Sequence, residues 1–265
     1  MKKIGIAWGC YGGLSAEEQI RLMKQNGFET TFSGSNDADL DRIVSMLRQE
    51  GIVCESCHAP FDGINNIWYP GEDGERMLDR LIRGAENCAR NAIPVMVVHL
   101  SSGENAPRVG DVGNDRFDRL MESARKLGVT VAYENQRKLG NLAHAMEQYP
   151  DAGFCWDVGH EACFTGGRQY MPLFGKRIVA LHLHDNGMEY NADQHLLPYD
   201  GKIDMERAAR QLAESGYNGS IMLEVIRPNS SLYEGVSAED YYARAAEAAR
   251  RFAERVEFFQ ASLDN

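Results

Sequence analysis

The sequence predicts a (β/α)8 TIM barrel on three observations: eight short β-like runs, helical periods filling the gaps between them, and a length of 265 residues. The runs fall at residues 3–8, 28–33, 53–58, 95–100, 129–134, 153–157, 178–184 and 220–225. Most are near-continuous stretches of Val, Ile, Leu and aromatics, as expected of strands buried on both faces of a parallel sheet. Parallel strands need crossover connections, usually helical, so the alternation of the two periods leads to a barrel. A hydrophobic content of 43% is ample for its core. With no linker, low-complexity stretch or internal repeat in view, residues 1–265 are expected to form a single domain.

The elements follow in order. The first run, Ile4-Gly5-Ile6-Ala7-Trp8, meets Gly9 and Gly12-Gly13 at once, so it is too short for a signal peptide. Ser15-Ala16-Glu17-Glu18 is a capping box that opens a helix ending near Asn26-Gly27. The second run, from Phe28, is the least apolar, and its assignment rests on the alternation. A helix over 37–50 stops at Gly51. The third run contains Cys54 and Cys57, which strand alternation would turn to opposite faces. The six cysteines lack a disulfide rhythm, so reduced thiols in a cytoplasmic protein are expected. Helices are predicted over 73–91 and over 113–127 before Gly128, with shorter ones near 139–147 and 168–175. A helix over 205–215 stops at Gly216, and a long C-terminal helix covers 238–261.

The formal net charge of −11 and the lack of any basic run oppose unassisted binding to a polyanion, because phosphate contacts need clustered Lys and Arg. No apolar run approaches the ~18 residues of a membrane span.

In such barrels the chemistry sits at the C-terminal ends of the strands. That is where this chain concentrates imidazoles and carboxylates: His58, His99, Glu134, Asp157, His182, His184 and Glu224 at strand ends, with His160, Asp193 and His195 just beyond. These are the donor types that hold Zn2+, Mn2+ and similar ions. Glu134, Asp157, His182 and Glu224, from strands five to eight, are candidates for one divalent centre. A buried carboxylate can instead pair with an arginine or cap a helix. Only Arg137 and Arg227 stand near enough in sequence to pair, and an unpaired buried charge is costly, which favours a metal. His58, His99, His160, Asp193 and His195 are candidates for additional metal ligands, although a lone histidine at a barrel rim is more often a packing residue. His184 shares strand parity with His182 and should point inward as a substrate contact or supporting donor. His144 lies in a helical segment and is given no role. Trp8, Phe61, Trp68 and Tyr133 are candidates for apolar walls of a sugar pocket. Phe61 and Trp68-Tyr69 equally suit wedging between bases.

These strand-end motifs resemble the xylose-isomerase-like TIM-barrel superfamily, which includes sugar isomerases and epimerases and the endonuclease IV-type DNA-repair enzymes. The resemblance spans nearly the whole chain. It implies that Glu134, Asp157, His182 and Glu224 match the single-metal set of the ketose 3-epimerase branch, with His160 matching a substrate-contacting histidine. The repair enzymes bind three zinc ions, and their nine ligands are matched by His58, His99, Glu134, Asp157, His160, His182, Asp193, His195 and Glu224. Sugar-enzyme relatives also carry segments like Asp193 to Pro198, so that set alone does not decide. Two departures bear on the choice. The ketose 3-epimerases usually carry an arginine after the strand-seven histidine, whereas this chain reads His184-Asp185-Asn186-Gly187-Met188. The acidic balance is wrong for gripping a duplex. The resemblance therefore implies a metal-dependent isomerase or epimerase of a sugar, sugar phosphate or inositol-type ketone. It would act by proton transfer next to a carbonyl, with Glu134 and Glu224 as the acid–base pair. Zinc or manganese is the expected ion, ahead of magnesium or cobalt. The expected partner is a small sugar or sugar phosphate, not nucleic acid or membrane, and a homo-oligomer is left open. The alternatives are a trinuclear phosphodiesterase and a catalytically silent metal- and sugar-binding barrel.

Overall fold

Eight parallel strands carry the site: β1 Ile4–Ala7, β2 Thr30–Gly34, β3 Val53–His58, β4 Val95–Val98, β5 Thr130–Glu134, β6 Gly153–Asp157, β7 Ile178–His182 and β8 Ile221–Leu223. The computed structural model describes residues 2–166 and 168–263. The sheet runs β7-β6-β5-β4-β3-β2-β1-β8, and each neighbouring pair in this order is parallel. Closure between β7 and β8 rests on a bridge at Leu183 and Leu223. There the Leu183 N–H donates to Met222 O (2.9 Å) and the Glu224 N–H to Leu183 O (3.1 Å). This is a (β/α)8 TIM barrel.

The helices are α1 Ala16–Gln25, α2 Leu40–Gln49, α3 Glu72–Arg90, α4 Asp111–Leu127, α5 Leu139–Gln148, α6 Val158–Phe164, α7 Met171–Phe174, α8 Met205–Ser215 and α9 Ala238–Leu263. The Ser15 box closes both ways: its Oγ accepts from the Glu18 N–H, and the Glu18 carboxylate accepts from the Ser15 N–H. Strand parity sorts the core into two layers. Val97, Ala132, Cys155 and Ala180 form the inner layer, each two residues before a site residue: His99, Glu134, Asp157 and His182. The outer layer, between sheet and helices, holds the larger side chains, such as Tyr133, Phe154 and Trp156.

Three local expectations change. Helix α6 starts directly after β6, because the Asp157 side chain caps it. The helix expected over 168–175 shrinks to α7 and a following 3-10 turn at Gly175–Arg177. Cys54 and Cys57 do not face opposite ways. A shift in the β2–β3 register leaves Glu55 unpaired, which brings the two cysteines to one face, and the Cys57 thiol meets those of Cys54 and Cys88. All six cysteines are free and buried. Among the described residues no helix is long and apolar enough to cross a membrane.

Candidate metal centre

Glu134 ends β5 and points into the barrel, where it is 1% exposed. Its Oε1 accepts from His182 Nδ1 (2.7 Å), while Oε2 meets His99 Nε2 and, at 3.3 Å, His58 Nε2. Asp157, one strand along, divides its oxygens. Oδ1 accepts from the His160 backbone N–H (2.5 Å) and from His184 Nε2 (3.1 Å), whereas the buried Oδ2 has no hydrogen-bond partner. Helix capping, the bland alternative for this residue, thus uses one oxygen and leaves the other facing the centre. His182 stacks on Phe32 at 4.6 Å and brings Nδ1 to 3.3 Å from Glu224 Oε2, an oxygen that also lacks a hydrogen bond.

A second focus lies beside the first. Asp193 Oδ2 sits 3.2 Å from both His160 Nε2 and His195 Nε2, and its Oδ1 is unpartnered and 3.7 Å from His184 Nε2. His184 and His195 stack at 4.0 Å. The donor atoms gather into His58/His99/Glu134, Glu134/Asp157/His182/Glu224 and His160/His184/Asp193/His195, each group lying within 4.8 Å of itself. Glu134 belongs to the first two. The structure therefore brings together every sequence-predicted metal candidate.

Four observations fit these residues to divalent ions. The donors are imidazole and carboxylate. Buried oxygens of Asp157, Asp193 and Glu224 lack hydrogen-bond partners. Among the described residues the ion-pair partners of Glu134, Asp157, Asp193 and Glu224 are all histidines, never Lys or Arg. Two histidines are also held from behind: His58 Nδ1–H donates to Ala59 O and His195 Nδ1–H to Glu224 O, both at 2.7 Å. That arrangement turns each Nε2 toward the carboxylates of the centre, the usual support of a metal-binding imidazole.

Electrostatics follow from this crowding. Burial pushes the Glu134 carboxyl upward, but His182 and His99 outweigh it and hold it well below the usual range. Glu224 is lowered in the same way, with burial opposed by His182. Asp157 goes the other way, since burial outweighs His160 and His184. Burial alone would lower His160 and His195. Asp157 with Asp193 and Glu134 drives His160 up to about 10, and Asp193 with Glu224 and Asp157 drives His195 up to about 9.

Above the donors is a cavity of about 430 Å3 whose walls include Phe32, Phe61, Phe164 and Ile226, with Ser102, Gln136 and Arg137 among its polar lining. Phe61 stacks on His99 at 4.8 Å and Phe164 on His160 at 4.7 Å. The other aromatic candidates lie elsewhere. Trp68 is buried, donating its indole N–H to Leu100 O (2.6 Å), and Trp8 is outside the cavity lining. Tyr133 packs outward against Phe117 and Tyr149, as its place next to inward Glu134 requires. Asp185 faces away from the donors: it accepts four backbone N–H bonds, from Asn186, Tyr199, Gly201 and Ile203, and so shapes the loop after β7. Asn135 ties β5 to β6 through paired 2.8 Å bonds with the Asp157 backbone. Neither nearby arginine pairs with the carboxylates. Arg137 bonds Asn191, and Arg227 donates to Tyr233 O.

Sequence reasoning missed Gln136, whose amide bridges His99 Nε2 (3.1 Å) and His160 Nδ1 (3.0 Å). It also missed Phe32, Phe164 and Cys155, whose thiol lies within 4.8 Å of Glu134 and His182 donor atoms. Two signals were available: Cys155 has the parity of Asp157, and Phe164 stands one helical turn after His160.

The family model described as "Xylose isomerase-like TIM barrel" matches residues 19–254. An uncharacterised protein, y4fM of Sinorhizobium fredii, is 31% identical over 150 residues, which cover 55% of this chain and 45% of that protein. The chain thus spans less than half the length of that relative. Among solved structures, a D-tagatose 3-epimerase-like protein superposes with a TM-score of 0.75 at 18% identity, covering 99% of this chain and 100% of the other. The IOLI protein with a bound zinc atom superposes with a TM-score of 0.71 at 16% identity, covering 98% and 99%. At such identities these two likenesses speak for the fold, while the family match extends over most of the sequence. The chain belongs to the xylose isomerase-like TIM barrel family.

Proposed function

We propose that the protein is a metal-dependent isomerase or epimerase of a sugar, sugar phosphate or inositol-type ketone, acting by proton transfer beside a carbonyl. The observation that carries this reading is the pairing of Glu134 and Glu224 around one donor group beneath a cavity of about 430 Å3 with aromatic walls. That volume suits a small ligand, and flat apolar rings suit the C–H faces of a sugar. The epimerase-like and zinc-bound solved structures share the fold and support the same direction.

A divalent ion held by Glu134, Asp157, His182 and Glu224, zinc or manganese ahead of magnesium or cobalt, would polarise a carbonyl and acidify the neighbouring C–H. The chain's own groups supply the rest. Both glutamates are ionised at neutral pH, because their neighbouring imidazoles depress them, so each is able to accept a proton. Glu224 lines the cavity and Glu134 does not, which makes Glu224 the more accessible base. Glu134, tied by three histidines, is the counterpart that returns or relays the proton. His160 and Gln136 at the cavity wall orient substrate hydroxyls.

A second reading, a trinuclear phosphodiesterase, is favoured by one observation: the three donor groups together use all nine residues of that pattern. Against it stand the net charge of −11 and a cavity lining in which Arg137 is the sole Lys or Arg among the described residues. Metal content and proton exchange test the two together. One ion per chain with deuterium entering a ketose from D2O supports the isomerase. Near three ions per chain, with cleavage of DNA carrying an abasic site, would replace it.

A further inference from the structure

Among the described residues Arg137 is the one Lys or Arg in the cavity lining, and its place there is built. The guanidinium lies over the Phe164 ring, 3.5 Å from its centroid, and Phe164 in turn stacks on His160 at 4.7 Å. The cation is thus carried one aromatic ring away from a donor-group imidazole. From the other side Nε and Nη2 both donate to Asn191 Oδ1. Asn191 holds a left-handed backbone (φ 66°), and its N–H is fixed to Cys163 O at 2.9 Å. Asparagine tolerates that conformation better than most residues, so the loop after β7 is shaped to keep the guanidinium in place.

This fixing leaves the cation without a counter-charge from the described residues. Arg137 forms no ion pair among the described residues, and its Nη1 has no partner there. Only two of its five N–H donors are engaged, both by one neutral amide oxygen. A planar fork with free donors, already ordered by stacking, matches the two oxygens of a carboxylate or phosphate. A neutral hydroxyl takes one donor at most and leaves the charge uncompensated. We infer that Arg137 is the anion-recognition residue of this cavity, and that the substrate carries a phosphate or carboxylate beyond its reacting carbonyl. The inference rests on the sugar isomerase reading and sharpens it: an acidic sugar fits this cavity, and an uncharged one leaves Arg137 unused.

The test uses the full chain loaded with zinc or manganese and three probes: D-fructose, D-fructose 6-phosphate and D-glucuronate. Affinities are measured by calorimetry and deuterium uptake by NMR in D2O, for the wild type, Arg137→Met and Arg137→Lys. The wild type should prefer at least one charged probe to fructose, and which one identifies the anion. Arg137→Met should weaken that probe roughly 10- to 100-fold, the scale of lost hydrogen bonds to a charged group, and leave fructose within about twofold. Arg137→Lys, a point charge without the fork, should recover part of the loss. If fructose binds as tightly as both charged probes, or if Arg137→Met weakens all three alike, Arg137 is only a clamp between the loop and α6, and the inference fails. Exchange into fructose under that outcome leaves the isomerase reading standing. Anion binding through Arg137 with no exchange into any probe sinks the isomerase reading and keeps the anion site. If no probe binds or exchanges in the wild type, both fall.

Discussion

Asp157 shows how one side chain serves fold and site together. Oδ1 caps α6 and Oδ2 is left for a ligand, so two substitutions separate the roles. Asp157→Asn keeps an oxygen for the cap and loses the carboxylate charge. It should lower metal content with little change in the metal-free Tm. Asp157→Ala should lose metal and also about 1 kcal/mol of cap stability. Equal metal stoichiometry in both variants and the wild type, read by elemental analysis, would remove Asp157 from the ligand set. For the proposed proton-transfer pair, Glu134→Gln and Glu224→Gln should each cut deuterium exchange ~10²–10⁴-fold, the scale of a lost general base. Metal content is measured on the same samples, since variants with full metal and full turnover would show the carboxylates to be ligands only. Gly159 is needed for close approach: a Cβ there would collide with the His184 ring. Gly159→Ala should displace His184 from Asp157 and destabilise the fold by about 1–3 kcal/mol, as overpacking does. A denaturation midpoint equal to wild type would refute that.

Among the elements, the segment between β3 and α3, with a 3-10 turn at Ile64–Trp68, carries Phe61 into the cavity wall. Arg116 from α4 holds it. This guanidinium, 3% exposed, donates to Ile67 O (2.8 Å), Tyr69 O (2.6 Å) and Gly71 O (3.1 Å), and pairs with Glu75 at 2.9 Å. Removing it strands the buried Ile67 carbonyl, at about 1–3 kcal/mol, loosens the part-buried carbonyls of Tyr69 and Gly71, and leaves a void under the loop. Arg116→Leu should therefore destabilise the protein by roughly 3 kcal/mol or more and loosen the Phe61 wall, raising KM more than it lowers kcat. A chemical-denaturation midpoint near wild type would show that water replaces the guanidinium at little cost.

At the scale of the molecule, the proposed metal centre would couple to protonation and stability. His160 and His195, raised to about 10 and about 9 by surrounding carboxylates, carry protons at pH 7 in the metal-free protein. A metal ion must displace those protons to bind at these imidazoles, so affinity there should rise with pH across the neutral range, with proton release measurable by calorimetry in buffers of different ionisation enthalpy. Occupancy of the centre by one ion at about 100 times its Kd adds ~2.7 kcal/mol to stability. A chelator should therefore lower Tm, and an unchanged Tm would mean that no ion is bound.

The sequence by itself determined the barrel and the ring of donors. Apolar runs of strand length alternating with helical periods leave few other ways to bury both faces of a parallel sheet, and strand-end position fixes which mouth the imidazoles and carboxylates share. Parity also determined that His182 and His184 point the same way, and applied to Tyr133 it would have removed that residue from the pocket. What tertiary structure decided lies where no local period operates. The β2–β3 bulge turned Cys54 and Cys57 to one face because register belongs to a pair of strands. Trp68 went under the wall and Phe61 onto it because Arg116, 48 positions after Trp68, sets the path of their loop. Arg137 turned to Phe164 and Asn191 because α6 and the loop after β7 meet only once the barrel closes. Such contacts depend on which segments become neighbours in space, and a one-dimensional pattern reports only neighbours along the chain.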